Sequence, residues 1–182
     1  MARAPFQVLI LPFRRIESGF QYAIFMRSDE QIWQGLAGGG EIGEFPSASA
    51  GREMFEESGL SQDLPLYALD CVSMVPRSHF PAHTEWSSDM FVIPEFTFAV
   101  DTLDQEIVTS HEHTTHVWTD FENAHNLLKW DSNRNALWEL NERLKTNKLY
   151  ATDRSSHNNM KFSQNYFWNK LFNKTDYIAK YK

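Results

Sequence analysis

β-forming residues run almost without interruption over residues 6–15, and after Glu17-Ser18-Gly19 the same apolar character returns over 20–27. This pattern predicts a β-hairpin that turns at Ser18-Gly19. A short apolar stretch, 32–37, leads into Gly38-Gly39-Gly40-Glu41-Ile42-Gly43-Glu44, where four glycines in six positions predict a loop. Pro46 suits a first helical position and Gly59 a left-handed stop, so a helix is expected over about 47–58. Residues 66–76 and 90–100 read as strands, and Pro94 assigns the second to a sheet edge or a bulge. A short strand over 116–119 precedes two helical patterns, 121–128 and 132–144, the latter with Ala136, Leu137, Leu140 and Leu144 as a buried stripe. There is no internal repeat. The order strands, helix, strands, helices predicts an α/β (α+β) fold in which a mixed sheet lies between helices.

Composition narrows the class. The 182 residues are 42% hydrophobic and 14% aromatic, ample for one packed core and incompatible with disorder as the dominant state. A net charge of −7 offers no overall footprint for duplex nucleic acid, so small molecules or proteins are the expected partners. The single cysteine, Cys71, excludes an internal disulfide, and no zinc-site spacing is present. No apolar run approaches the roughly 20 residues that span a bilayer, and the opening lacks a signal-peptide pattern. A cytoplasmic protein with no membrane partner is expected. The chain divides into a domain at 1–147 and a polar linker with a basic aromatic segment at 148–182. Seven aromatics and five lysines lie in 161–182 against one acid, Asp176. Phe167, Trp168, Leu171 and Phe172 would share a helical face that docks on the domain or on a second subunit, making a homodimer.

The chemistry concentrates between Gly38 and Leu60. Gly38 is followed after five residues by Glu44, and after seven more by Arg52-Glu53-Met54-Phe55-Glu56-Glu57-Ser58-Gly59-Leu60. On a helix, Glu53, Glu56 and Glu57 fall within about 100° of arc, with Ala48, Gly51, Met54, Phe55 and Ser58 opposite. Three like charges so close repel one another and raise their own pKa values, which calls for a cation. The donors are all hard oxygens, a set that selects Mg²⁺ or Mn²⁺ over zinc or copper. Such ions also neutralise the charge of a polyphosphate that the acidic surface would otherwise repel. An ordinary solvated acidic face is the alternative. Against it stands the glycine run feeding the helix, in which Gly38, Gly39 and Gly40 read as a phosphate-approach loop. Arg52, one turn before Glu56, can form an i, i+4 ion pair that orients this carboxylate, and Glu44 can accept first-turn amides or reach the same arginine.

This segment resembles the Nudix box, Gx5Ex7REUxEExGU with U apolar, at every defined position, a match expected by chance less than about once in a million. The resemblance implies a Nudix αβα sandwich and hydrolysis of organic diphosphates, X-P-P-R, by a metal-activated water. In that family the general base is a box glutamate or one from another loop, here Glu53 or Glu112; His111 and His113 receive no role. Trp33-Gln34, Glu112-His113 before Trp118, and Trp130 to Ala136 are similar to the bacterial dihydroneopterin triphosphate and dATP pyrophosphohydrolases. These release pyrophosphate and a monophosphate from a nucleoside triphosphate-like substrate. Ile42, Phe45 and residues 77–88 depart from the pattern. Arg27, ending the second strand, is a candidate phosphate contact, and Trp33 or Trp86 could stack on a heterocycle. Arg77, His79, His83 and Trp86 would lie in the specificity loop. The alternatives are a Nudix hydrolase acting on nucleoside diphosphate-X compounds such as ADP-ribose or on dinucleoside polyphosphates, and a non-catalytic ligand-binding module. An isomerase of the same fold would need a cysteine and acid pair that Cys71 does not supply.

Overall fold

Strand β1 (Arg3–Ile16) runs through the middle of the molecule and divides its pairing among three partners. The structure is a computed structural model that describes residues 2–151, so the basic aromatic segment and all of its linker after residue 151 lie outside the described residues. The C-terminal half of β1 forms the expected hairpin with β2 (Gly19–Arg27), and its N-terminal half pairs antiparallel with β4 (Leu36–Glu41). On its other side β1 runs parallel to β6 (Val92–Asp101), which pairs with β5 (Leu66–Pro76). β2 continues to β3 (Trp33–Gln34) and β7 (His113–Thr119), which completes a seven-stranded mixed sheet.

The helices lie on both faces. Met54 and Ala50 of α1 (Pro46–Ser58) close a core with Phe6, Val8, Ile10, Phe96 and Phe98. Successive strand residues point to opposite faces, so Leu9, Leu11 and Phe13 meet α2 (Phe121–Leu127) and Ala136, Leu137 and Leu140 of α3 (Asp131–Lys145) on the other side. The αβα sandwich is therefore as expected. No helix among the described residues is long and apolar enough to cross a membrane.

Two local expectations are corrected. The run Gly38-Gly39-Gly40 is part of strand β4, with Gly38 opposite Val8 and Gly39 opposite Gln7. A Cβ at Gly38 would enter the Glu53 carboxyl group, one at Gly39 the Arg3 guanidinium, and one at Gly40 the Phe6 ring. These glycines serve close approach on both faces; the turn belongs to Gly43, whose φ is +94°. Pro94 sits in a central strand, but β1 begins pairing with β6 only at Gln7 and Glu95, so the missing N–H of Pro94 lies beyond the end of that ladder.

Candidate active site

Pro46 opens α1 and Gly59, at φ +67°, closes it. Phe45 gives this helix no side-chain cap, and the polar contacts at its start converge on Arg52 instead. Arg52 Nε and Nη2 donate to the two oxygens of Glu44, each at 3.0 Å, and Nη2 also donates to the Gly39 carbonyl at 2.9 Å. Its Nη1 donates to Glu53 at 2.8 Å and to Glu56 at 3.1 Å. One guanidinium thus fixes the helix to β4 and holds two of the three box carboxylates, more than the single i, i+4 pair the spacing suggested.

Glu44 is the anchor of this hub. It also accepts from Ser49 Oγ at 2.7 Å and from the Glu41 amide at 3.0 Å, not from the first-turn amides of α1. Burial alone would raise its pKa, but Arg52, Ser49 and the Glu41 amide outweigh that and bring it down to about 2. A depressed carboxylate contributes stability above its unfolded value that is lost as pH falls through the folded one. Glu44→Gln is therefore expected to cost about 2 kcal/mol at pH 7. Urea unfolding of both proteins should show the gap closing between about pH 4.5 and about pH 2.

The three carboxylates of the helical arc differ sharply in exposure. Glu56 is 53% exposed, Glu53 is mostly covered, and Glu57 is only 3% exposed. The buried face of α1 is rotated from the expected one, with Glu57 inside and Phe55 and Ala48 outside. Glu57 Oε2 lies 3.0 Å from His113 Nε2 and accepts from the Ala37 amide at 3.3 Å. His113, unassigned from the sequence, is itself buried against Phe25, and its Nδ1 has no hydrogen-bond partner. Burial raises Glu53 to about 7 against the opposing pull of Arg52, and raises Glu57 against that of His113.

Glu57 walls a cleft of about 120 Å³ together with Arg27, Ser28, Asp29, Gln34, Ala37, His111, Glu112 and His113. The Ser28 amide donates to the Glu112 carbonyl at 2.9 Å, which ties the end of β2 to the loop before β7 and places Glu112 at the same cleft as Glu57. Arg27 reaches the cleft while its guanidinium grips Asp29 through Nε and Nη2. Trp33 is not among the lining residues. It packs on the α2 and α3 core and bridges to Leu128, and its neighbour Gln34 faces the cleft instead, because adjacent strand residues point in opposite directions. Trp86 is likewise packed, against Phe80, with its indole N–H on the Arg3 carbonyl.

No group of three or more His, Cys, Asp or Glu among the described residues stands in a ligating arrangement. Glu53 and Glu56 are turned to Arg52, and Glu57 to His113. The donor set nevertheless fits a hard divalent cation. It is three carboxylates within two adjoining turns, and beside Glu53 the absence of a Cβ at Gly38 leaves its carboxyl group the space it occupies.

No family model matches the chain, and none of the curated proteins does. Solved structures do. A candidate Nudix hydrolase from Listeria monocytogenes is 41% identical, with 81% of this chain and 99% of that one covered and a TM-score of 0.75. The E. coli dihydroneopterin triphosphate pyrophosphohydrolase shares the fold at 23% identity, over 79% of this chain and 99% of that one, with a TM-score of 0.65. The Ap4A hydrolase of C. elegans does so at 16% identity, with the same coverage and a TM-score of 0.62. With the complete box running from β4 through α1 and this likeness over four-fifths of its length, the chain belongs to the Nudix hydrolases, enzymes that cleave phosphoanhydride bonds.

Proposed function

We propose that the protein hydrolyses a nucleoside triphosphate-like substrate of the dihydroneopterin triphosphate or deoxynucleotide type, releasing pyrophosphate and a monophosphate. The observation that carries this reading is the cleft in which Arg27, Gln34, Glu57, Glu112 and His113 meet. Of the short strings that resemble the triphosphate branch, Gln34, Glu112 and His113 come from two segments far apart in the chain and meet at this one cleft. The E. coli neighbour acts on dihydroneopterin triphosphate, and the C. elegans neighbour on Ap4A.

Glu53, Glu56 and Glu57 would hold Mg²⁺, or Mn²⁺ in its place. When bound, the cation supplies Lewis acidity and neutralises phosphate charge. Arg52 orients Glu53 and Glu56, and Glu44 in turn holds Arg52. Gly38, without a Cβ, leaves the Glu53 carboxyl group its place beside the cation. Arg27 brings positive charge to the cleft for a phosphate oxygen. Proton acceptance from the attacking water falls to Glu53 of the box or to Glu112, which lines the cleft. The free Cys71 accords with a reducing cytoplasm.

A panel of deoxynucleoside triphosphates, dihydroneopterin triphosphate, ADP-ribose and dinucleoside polyphosphates, with products identified by mass, tests the proposal. One-step release of pyrophosphate from a triphosphate, abolished by EDTA and restored by Mg²⁺, is the expected result. A preference for ADP-ribose or for a dinucleoside polyphosphate would overturn it in favour of the nucleoside diphosphate-X reading.

A further inference from the structure

A second cavity, of about 290 Å³, shares no residue with the catalytic cleft. It lies at the far end of the sheet. Arg14 lines it, six residues along β1 from Val8, the partner of Gly38, so about 20 Å of strand separates it from the glycine beside Glu53. His116 and Trp118 of β7 supply one wall, and the connection from β6 to β7 supplies the other. That connection turns at once. Leu103 and Asp104 both adopt left-handed φ values, +47° and +62°, and the Gln105 amide donates to the Thr102 carbonyl at 2.9 Å. Gln105 Oε1 accepts from the Ser61 amide at 3.1 Å, which ties the turn to the segment after α1, and Ile107 is buried in the core. The turn thus carries two exposed acids, Asp104 and Glu106, to the rim.

No anion of the protein answers the charge of Arg14. Its Nε and Nη2 donate to Gln21 Oε1 at 2.9 and 2.6 Å, and its guanidinium carbon lies 4.4 Å from the centre of the Trp118 ring. Both contacts hold the group in place, and neither neutralises it. Among the described residues Arg14 has no ion pair, and its Nη1 has no acceptor. The His116 ring, 5.9 Å from that of Phe25, has no hydrogen-bond partner there either. Burial, and after it the charge of Arg14, lower its pKa, so the imidazole is neutral at pH 7 and offers one donor and one acceptor. Thr102 is fully buried. Its amide donates to the Phe13 carbonyl at 3.0 Å, but its hydroxyl has no partner. Buried polar groups are rarely left unpaired. Around this one cavity stand a fixed cation without an anion, a neutral imidazole and an unpaired hydroxyl, with two carboxylates across the opening.

We infer that the cavity is a second ligand site and that it takes a free α-amino acid with an apolar side chain. The carboxylate of such a ligand meets Arg14, whose planar guanidinium is already oriented to receive it. Its ammonium group meets Asp104 and Glu106 at the rim, and its side chain lies along Ile107 and Trp118, the apolar part of the lining. A phosphate group carries about two negative charges at neutral pH. Arg14 would attract it, but both rim acids would repel it, so the cavity is no second seat for the nucleotide or its products.

Titration calorimetry of the full chain with L-leucine, L-methionine and L-phenylalanine tests this apart from turnover. For the best of the three, the desamino acid lacks the ammonium group and the amide lacks the carboxylate. The amino acid should bind at least about 10-fold more tightly than either analogue and than inorganic phosphate. Arg14→Met keeps an apolar stem against Trp118 but removes the charge, and it should abolish binding. The double variant Asp104→Asn, Glu106→Gln alters only exposed side chains, so the fold is not at stake. It should erase the preference for the amino acid over its desamino analogue, because Arg14 still holds the carboxylate of both. No binding of any of the three at millimolar concentration, tighter binding of phosphate, or an unchanged preference in the double variant would overturn the inference.

Discussion

Glu57→Gln is expected to fold as the wild type does and to turn over substrate about 1000-fold more slowly. Glu57 is almost fully buried, and a carboxamide can keep both of its neighbours, accepting from the Ala37 amide and facing His113 Nε2. What it removes is the charge. Burial disfavours this charge, so its removal leaves the urea midpoint equal or higher. A site that neutralises phosphate with a divalent cation cannot lose a buried carboxylate without losing most of its hold on the cation. Steady-state kinetics at saturating Mg²⁺, beside urea unfolding, separates the roles. Turnover within about tenfold of wild type would make Glu57 a structural partner of His113 and remove it from the metal site.

Gly38→Ala should lose about 100-fold in activity with little change in stability. The added methyl would occupy the space of the Glu53 carboxyl group, which is the free end of a flexible side chain and can swing away. The φ of Gly38 is not in the left-handed region, so alanine meets no backbone strain there. The variant thus works as a displacement of Glu53, breaking its 2.8 Å bond from Arg52 while the sheet stays paired. Urea unfolding should shift by less than about 1 kcal/mol. Near-normal turnover would show that the position of Glu53 does not matter to the chemistry.

The box was legible because its meaning lies in fixed local spacing: a helix beginning at Pro46 and ending at Gly59 carries Arg52 and the glutamates wherever it goes. The glycines were legible as significant but misjudged in conformation, since glycine serves an open turn and a crowded strand equally well and only the partners Glu53, Arg3 and Phe6 distinguish the two. The helical arc groups Glu57 with Glu53 and Glu56 but says nothing of its depth, and a histidine 56 residues away receives it in the interior. No local pattern encodes that contact. The Gln7 and Glu95 pair has the same origin: each is an ordinary polar residue in its own strand, and parallel register across 88 residues makes them neighbours. Trp33 shows the reverse error, an aromatic whose bulk suggested a ligand platform but whose strand position turns it to the α2 and α3 core.

The division of β1 among three partners has a consequence during synthesis. Its hairpin with β2 and its ladder with β4 can form once residue 41 has emerged, but its parallel partner arrives only when the ribosome has passed Asp101. At bacterial or eukaryotic elongation speeds that interval is about 3–12 s. Throughout it, Val8 to Leu11 present an unpaired apolar edge, the point at which two crowded ribosomes could join their products wrongly.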